Sequence, residues 1–168
     1  MKNAIRVLSA MMAGLIVVLL VPVSSATADE MTRACPEVGH HTSVESVTPV
    51  FLEGSVPKTW LDPGSSYTYT SGRSVTVTGS INASVGADFW SIARAQVDVS
   101  LNRSNTATVQ QQWSWTNNTG SAQWVQLGIR GYDFYYVSYD VVAPCSIVNK
   151  QYLAHAVLPT TQPWLKHS

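Results

Sequence analysis

Four histidines, ten acidic residues and two cysteines carry whatever reactive chemistry this 168-residue chain can perform. His40-His41 is an adjacent pair that could touch a metal. A metal site needs further ligands at suitable spacing, and none accompany the pair, so it reads as two solvent-exposed side chains in a Pro-punctuated stretch. His155 stands alone and reads as a packed or surface histidine rather than a base. Asp88, Asp98, Asp133 and Asp140 occur singly, in turns or on polar strand faces, where a carboxylate serves solubility. There is no GxSxG elbow, no HExxH and no phosphate-cradling glycine loop. Serine is too common for a catalytic triad to stand out. The expectation is a protein that is not an enzyme and holds no metal and no cofactor.

The cysteines are more informative. The chain opens with Lys2 and Arg6 around an apolar run, Val7 to Val21, followed by Pro22 and the small residues Ala26-Thr27-Ala28. That order is a secretory signal peptide over residues 1–28. The apolar run, at ~15 residues, is short of the ~20 that a spanning helix needs. An exported chain with one cysteine pair is expected to join them, so Cys35 and Cys145 are read as a disulfide. Closing a loop of about 110 residues is worth roughly 4–5 kcal/mol in the chain-entropy model. The secreted chain from Asp29, about 140 residues, is one ordinary domain. Removing Lys2 and Arg6 leaves the acidic residues two ahead of the basic ones. Such a chain lacks the basic field that phosphate backbones demand, so nucleic acid is not an expected partner.

The elements that must position any site are strands. Residues 29–66 carry Pro36, Pro49, Pro57 and Pro63 and read as an extended arm, with one short edge strand around Val47 to Leu52. An antiparallel β domain is expected over 67–158 and a tail over 159–168. In "SVTVTGSINASV", Ser74 to Val85, odd positions are apolar or small and even positions polar, which marks a strand with one greasy and one wet face. Gly86-Ala87-Asp88 reads as a turn with Phe89 and Trp90 at the hairpin tip. A second strand, Ile92 to Leu101, alternates Ala93, Ala95, Val97, Val99 and Leu101 with Arg94, Gln96, Asp98 and Ser100. Further strands are expected over Thr106–Thr116, Gln123–Arg130 and Tyr132–Val142, with Ile147–Leu158 a strand or a short helix. No amphipathic helix interrupts them. The expected fold is an antiparallel sandwich or open barrel built as a meander. Leu158-Pro159-Thr160-Thr161 begins like a cell-wall sorting signal, but Gln162 stands where glycine is required, so the match is taken as coincidence.

Six tryptophans and seven tyrosines are a heavy aromatic load. If Tyr135, Val137, Tyr139 and Val141 point inward, then Tyr132, Phe134 and Tyr136 form an outward set suited to protein or sugar. The alternative is a strand buried on both faces.

"SVTVTGSINASVGADFW" and "IARAQVDVSL" resemble the Ser/Thr-rich amphipathic hairpin of aerolysin-like β pore-forming proteins. The resemblance covers under a fifth of the chain. It implies strands that leave a soluble fold to line a membrane barrel, with Phe89-Trp90 as an interfacial tip. The whole chain is also similar to small secreted actinobacterial β proteins, some of which are adaptors in exported assemblies, toxin particles included. The leading expectation is a secreted, non-enzymatic adaptor that binds a secreted protein through Tyr132, Phe134 and Tyr136 and through the arm residues Val47, Val50 and Leu52. Membrane insertion and sugar binding are the alternatives.

Overall fold

A computed structural model describes residues 37–168. In chain order the elements are β1 (Gly39–Glu53), β2 (Thr59–Leu61), β3 (Ser66–Tyr69), β4 (Ser74–Thr78), β5 (Ser80–Ile81), α1 (Ala87–Gln96), β6 (Ser104–Thr108), β7 (Trp113–Thr116), β8 (Gln123–Val142) and β9 (Ser146–His167). The class is all-β, and every strand pair is antiparallel. One sheet, in the order β1-β8-β9-β5, forms the frame, and β2 pairs the start of β8 beyond the end of β1. Two separate two-stranded ribbons, β3–β7 and β4–β6, complete the strands.

β8 is the axis of the frame. Val125, Leu127 and Ile129 alternate into one face and are fully buried against Tyr69, Val75, Val77, Ala107 and Val109 of the ribbons. Farther along, Phe134 and Tyr136 enter a second core with Phe89, Ala93 and Leu101 from the α1 region and Ala154, Ala156 and Leu158 of β9. A Val, Leu, Ile or Phe side chain buried this fully contributes about 1.5–3 kcal/mol, so the first cluster fastens the ribbons far more firmly than any single hydroxyl contact does. The first cluster takes odd residues of β8 and the second takes even ones.

Several expectations are corrected. The fourth and fifth strands are one continuous β8, and Ile147–Leu158 lies within β9. Residues 159–168 are no tail, because β9 pairs β8 as far as Val125↔His167. The arm is no arm over residues 39–53: β1 pairs β8 from Gly39↔Val141 to Glu53↔Gly128. Pro49 is accommodated because β1 is an edge strand, where a missing ladder donor is tolerated. The meander is replaced by nested pairings, β3 with β7 and β4 with β6. The strand expected over Ile92–Leu101 is displaced by α1, so β4 meets β6 instead. Ala93, Arg94, Ala95 and Gln96 are good helix formers, and Asp88 in the first turn and Arg94 in the last suit the helix dipole. Phe89 and Ala93, one helical turn apart, are its buried residues. Residues 1–28 and Cys35 lie outside the described residues.

Gly128 shows how tightly β1 seats on β8. A Cβ there would stand 2.4 Å from the Leu52 carbonyl oxygen and 2.5 Å from Phe51 Cζ. Gly128→Ala is expected to cost about 1–3 kcal/mol in urea denaturation. An unchanged midpoint would show that β1 yields without cost.

Candidate functional site

The two ribbons share one register. Stepping from Ser66 to Ser74 along one strand corresponds residue for residue to stepping from Thr116 back to Thr108 along the other. Gly72 and Arg73 opposite Val109 bridge the gap, with the Gly72 amide donating to the Val109 carbonyl at 2.8 Å and the Val109 amide to the Arg73 carbonyl at 2.9 Å. The register persists past β4, since the Gly79 amide donates to the Arg103 carbonyl at 2.8 Å. The inner face presents Tyr67, Tyr69, Val75, Val77, Ala107, Val109, Trp113 and Trp115 to the core. The outer face is a ladder of hydroxyls. Ser66 and Thr116 share a hydrogen bond of 2.8 Å, Thr68 and Ser114 one of 2.9 Å, and Ser74 and Thr108 one of 2.9 Å. Thr76 and Thr106 follow at 2.7 Å, and Thr78 donates to Ser104 at 3.2 Å. Cross-strand Thr/Ser pairs of this kind stabilise a sheet modestly, and here they keep a polar face ordered without charge.

The ribbon's two strands are joined by residues 79–103, which hold β5 and α1. This insert docks through few fully buried side chains, with Ile81, Val85, Trp90, Ile92 and Val97 packed half-buried around them. Of α1 only Phe89 and Ala93 are buried, with Leu101 beyond it, while Ala83, Ala87 and Ala95 are exposed and Val99 is 84% exposed. Phe89 stacks on Phe134 at 6.1 Å and meets Tyr136 edge-on at 5.4 Å. Trp90 packs edge-on to Phe89, with the Arg94 guanidinium 5.6 Å from its ring centroid. Phe89 and Trp90 are thus helix residues in this fold, not a hairpin tip.

The expected aromatic binding set is also redirected. Phe134 and Tyr136 are buried and Tyr132 packs against the same core, whereas Tyr135, expected inside, is 38% exposed. Val137 and Val141 are buried as expected, and Tyr139 is half-buried against His41. The alternation along β8 itself is unbroken, since the extra residues at its register shifts lie in β9 and β1. The even face, expected outside, is covered by the α1 region, so both faces bury side chains. Of the arm residues, Val47 is exposed beside the β1 bulge, and Val50 and Leu52 are half-buried in pairing with Gly131 and Ile129. These residues and the aromatic set do not form one surface.

The titratable groups stand in separate pairs across the sheet. His155 Nε2 is 2.6 Å from Asp133 Oδ1, and its ring stacks on Tyr135 at 4.7 Å. His40 Nδ1 is 2.8 Å from Asp140 Oδ1. Asp140 is held below the ordinary carboxylate range, first by the Asn149 side-chain amide, which donates at 2.8 Å, and then by His40. Among the described residues no three His, Cys, Asp or Glu side chains are grouped as metal ligands would be. No helix among them is long and apolar enough to cross a membrane, which leaves strands out of account. No protein-family model matches the sequence, and no curated protein matches it either.

Phe89→Ala should cost about 3–5 kcal/mol at its own site, as truncations of buried phenylalanines do. Native-state hydrogen exchange should show residues 79–103 losing protection while β1, β8 and β9 keep theirs. Equal loss across the central sheet would mean that the insert is no separable unit.

Proposed function

We propose that the protein is a secreted, membrane-active β-hairpin protein whose insert, residues 79–103, extends the hydroxyl-laddered ribbon when it meets a bilayer. One observation carries this reading: counted on in the ribbon's register, the sequence of the insert keeps the two-faced pattern of the ribbon that holds it. In that register Ile81 faces Leu101, Ala83 faces Val99, Val85 faces Val97, Ala87 faces Ala95 and Phe89 faces Ala93. On the other face Ser80 meets Asn102, Asn82 meets Ser100, Ser84 meets Asp98, Gly86 meets Gln96 and Asp88 meets Arg94. Every odd pair is apolar and every even pair is polar or glycine, although the segment is not a hairpin in this fold. Each arm would supply the ~9–11 residues that a transmembrane strand needs, with apolar side chains toward lipid and polar ones toward a lumen. Trp90-Ser91-Ile92 would form the turn. Secretion and the Cys35–Cys145 disulfide belong to the same proposal, supported by the leader pattern and the lone cysteine pair.

A second reading, protein binding, draws on β1. It is the edge of the frame, and a long edge strand offers a partner a row of main-chain donors and acceptors. The outward aromatic set no longer supports that reading, because its rings lie in the core.

Dye release from lipid vesicles separates the readings. Val99→Lys places a charge where the fold is open to water, so thermal unfolding should not change. On the lipid face of a hairpin the same lysine would cost up to about 2–4 kcal/mol near the midplane, and release should fall at least tenfold. Ser84→Lys, on the polar face, should release dye like the parent. No release by the parent, or equal release by both variants, would overturn the membrane reading.

Thiol titration of the denatured, unreduced secreted protein should find no free thiol, and its amino terminus should be Asp29. Two thiols per chain would remove the disulfide.

A further inference from the structure

The Ile129/Gly131 register shift lies opposite Arg130, whose position on β8 faces away from the ribbons. Ile129 pairs with Pro163 and Gly131 with Pro159, so Thr160, Thr161 and Gln162 loop out of the β8–β9 ladder. Proline at both ends of the loop explains it, since neither residue can donate to β8. The loop is firmly held. Thr160 is fully buried, its hydroxyl donating to the Arg130 carbonyl at 2.7 Å and accepting from the Gln162 amide at 3.1 Å. The Asn105 side-chain amide donates to the Pro159 carbonyl at 2.8 Å. Bulges fixed in this way commonly re-aim side chains beside a binding site.

What the bulge frames is a cavity of about 320 Å³ lined by Pro49, Arg130, Gln162, Pro163 and Trp164. Trp164 is braced edge-on by Phe51 at 6.0 Å. Arg130 is half-buried with its guanidinium 5.5 Å from the Tyr132 ring centroid, and its buried Nε has no hydrogen-bond partner. Among the described residues no carboxylate forms an ion pair with it. A half-buried guanidinium with an unfilled donor and no counter-ion calls for an anionic acceptor.

We infer that this cavity binds a sugar bearing a carboxylate, a uronic or sialic acid residue at the end of a glycan. The guanidinium fork matches a planar carboxylate in two parallel hydrogen bonds. The Trp164 ring and the proline walls offer flat apolar surfaces to the C–H face of a pyranose, and the Gln162 amide can both donate to and accept from ring hydroxyls. The volume suits one sugar unit. One guanidinium balances one negative charge, which favours a carboxylate over a phosphate dianion. The site draws on no part of the insert and stands whether or not residues 79–103 enter a bilayer.

Calorimetric titration of the intact secreted protein with the methyl glycosides of glucuronic acid and N-acetylneuraminic acid tests the inference. At least one acid sugar should bind, and methyl glucoside should bind at least about tenfold more weakly. Arg130→Lys keeps the charge but loses the fork and should weaken binding about tenfold, as should Gln162→Ala to a lesser degree, with unfolding midpoints recorded for both. If Arg130→Lys fails to fold, a Trp164 fluorescence change on titrating the parent, absent in Trp164→Phe, replaces it. Binding of neither acid sugar at millimolar concentration would overturn the inference. So would equal affinity for methyl glucoside, or preference for inorganic phosphate or phosphocholine vesicles.

Discussion

β8 has to satisfy main-chain hydrogen bonds on both edges along most of its length, and that demand organises the molecule. β9 meets it on one side from Val142↔Ser146 to Val125↔His167, and β1 with β2 meets it on the other. β9 is a local neighbour, following β8 through a short turn, but β1 lies about half the chain away from the strand it completes. Everything between β2 and β8 is therefore a closed excursion that must start and finish at the same end of the frame. A nested ribbon is the economical form of such an excursion, because it pairs with itself and needs the frame only to cover one face. The hydroxyl ladder follows from this. A face turned to water and a face turned to Val125, Leu127 and Ile129 require period-two chemistry along both ribbon strands.

That period-two chemistry runs on into the insert, where the backbone does not obey it. Residues 80–89 and 93–102 alternate as faithfully as β4 and β6 do, yet Ala87–Gln96 is helical. The conflict is between local pattern and tertiary context, and it has an intelligible resolution in water. An extended ribbon beyond Gly79 would leave Ile81, Val85, Phe89, Val97 and Leu101 without a sheet to cover them, and an isolated two-stranded hairpin is at best marginal. Folding back as a helix buries Phe89, Ala93 and Leu101 on Phe134, Tyr136, Ala154 and Ala156 instead. Natural sequences usually agree with their folds at every level, and a segment that does not is where function concentrates.

The parts of this structure that were legible in the sequence share that local character. The strand character of Ser74–Thr78, Trp113–Thr116 and Gln123–Val142 is written in alternation, and the all-β class follows from it. What was illegible depends on distant partners. The edge character of β1 follows from Pro49, but its reach from Gly39 to Glu53 depends on pairing with β8, far away in sequence. The exposure of the aromatics was misjudged because the α1 region, distant in sequence, covers the even face of β8, placing Phe134 inside while Tyr135 on the odd face stays open. The Arg130 cavity left one faint sequence trace, the closely spaced prolines 159 and 163, which deny β8 its donors. Their effect shows only once β9 is known to pair with β8 on both sides of them.

On the membrane reading, a further constraint follows from the bilayer itself. A hairpin formed by residues 79–103 would have two open edges, and hydrocarbon offers no partner for the amides and carbonyls along them. One copy could not remain inserted. Its edges must be closed by hairpins from other copies until the sheet returns on itself, which makes assembly a condition of insertion rather than a later refinement. Water imposes the opposite preference, because several exposed ribbons with apolar odd faces would associate indiscriminately. A helical insert held by few buried side chains meets both demands. It hides Phe89 and Leu101 while the chain is alone in water, and it gives up that burial only when lipid and neighbouring copies cover the same side chains.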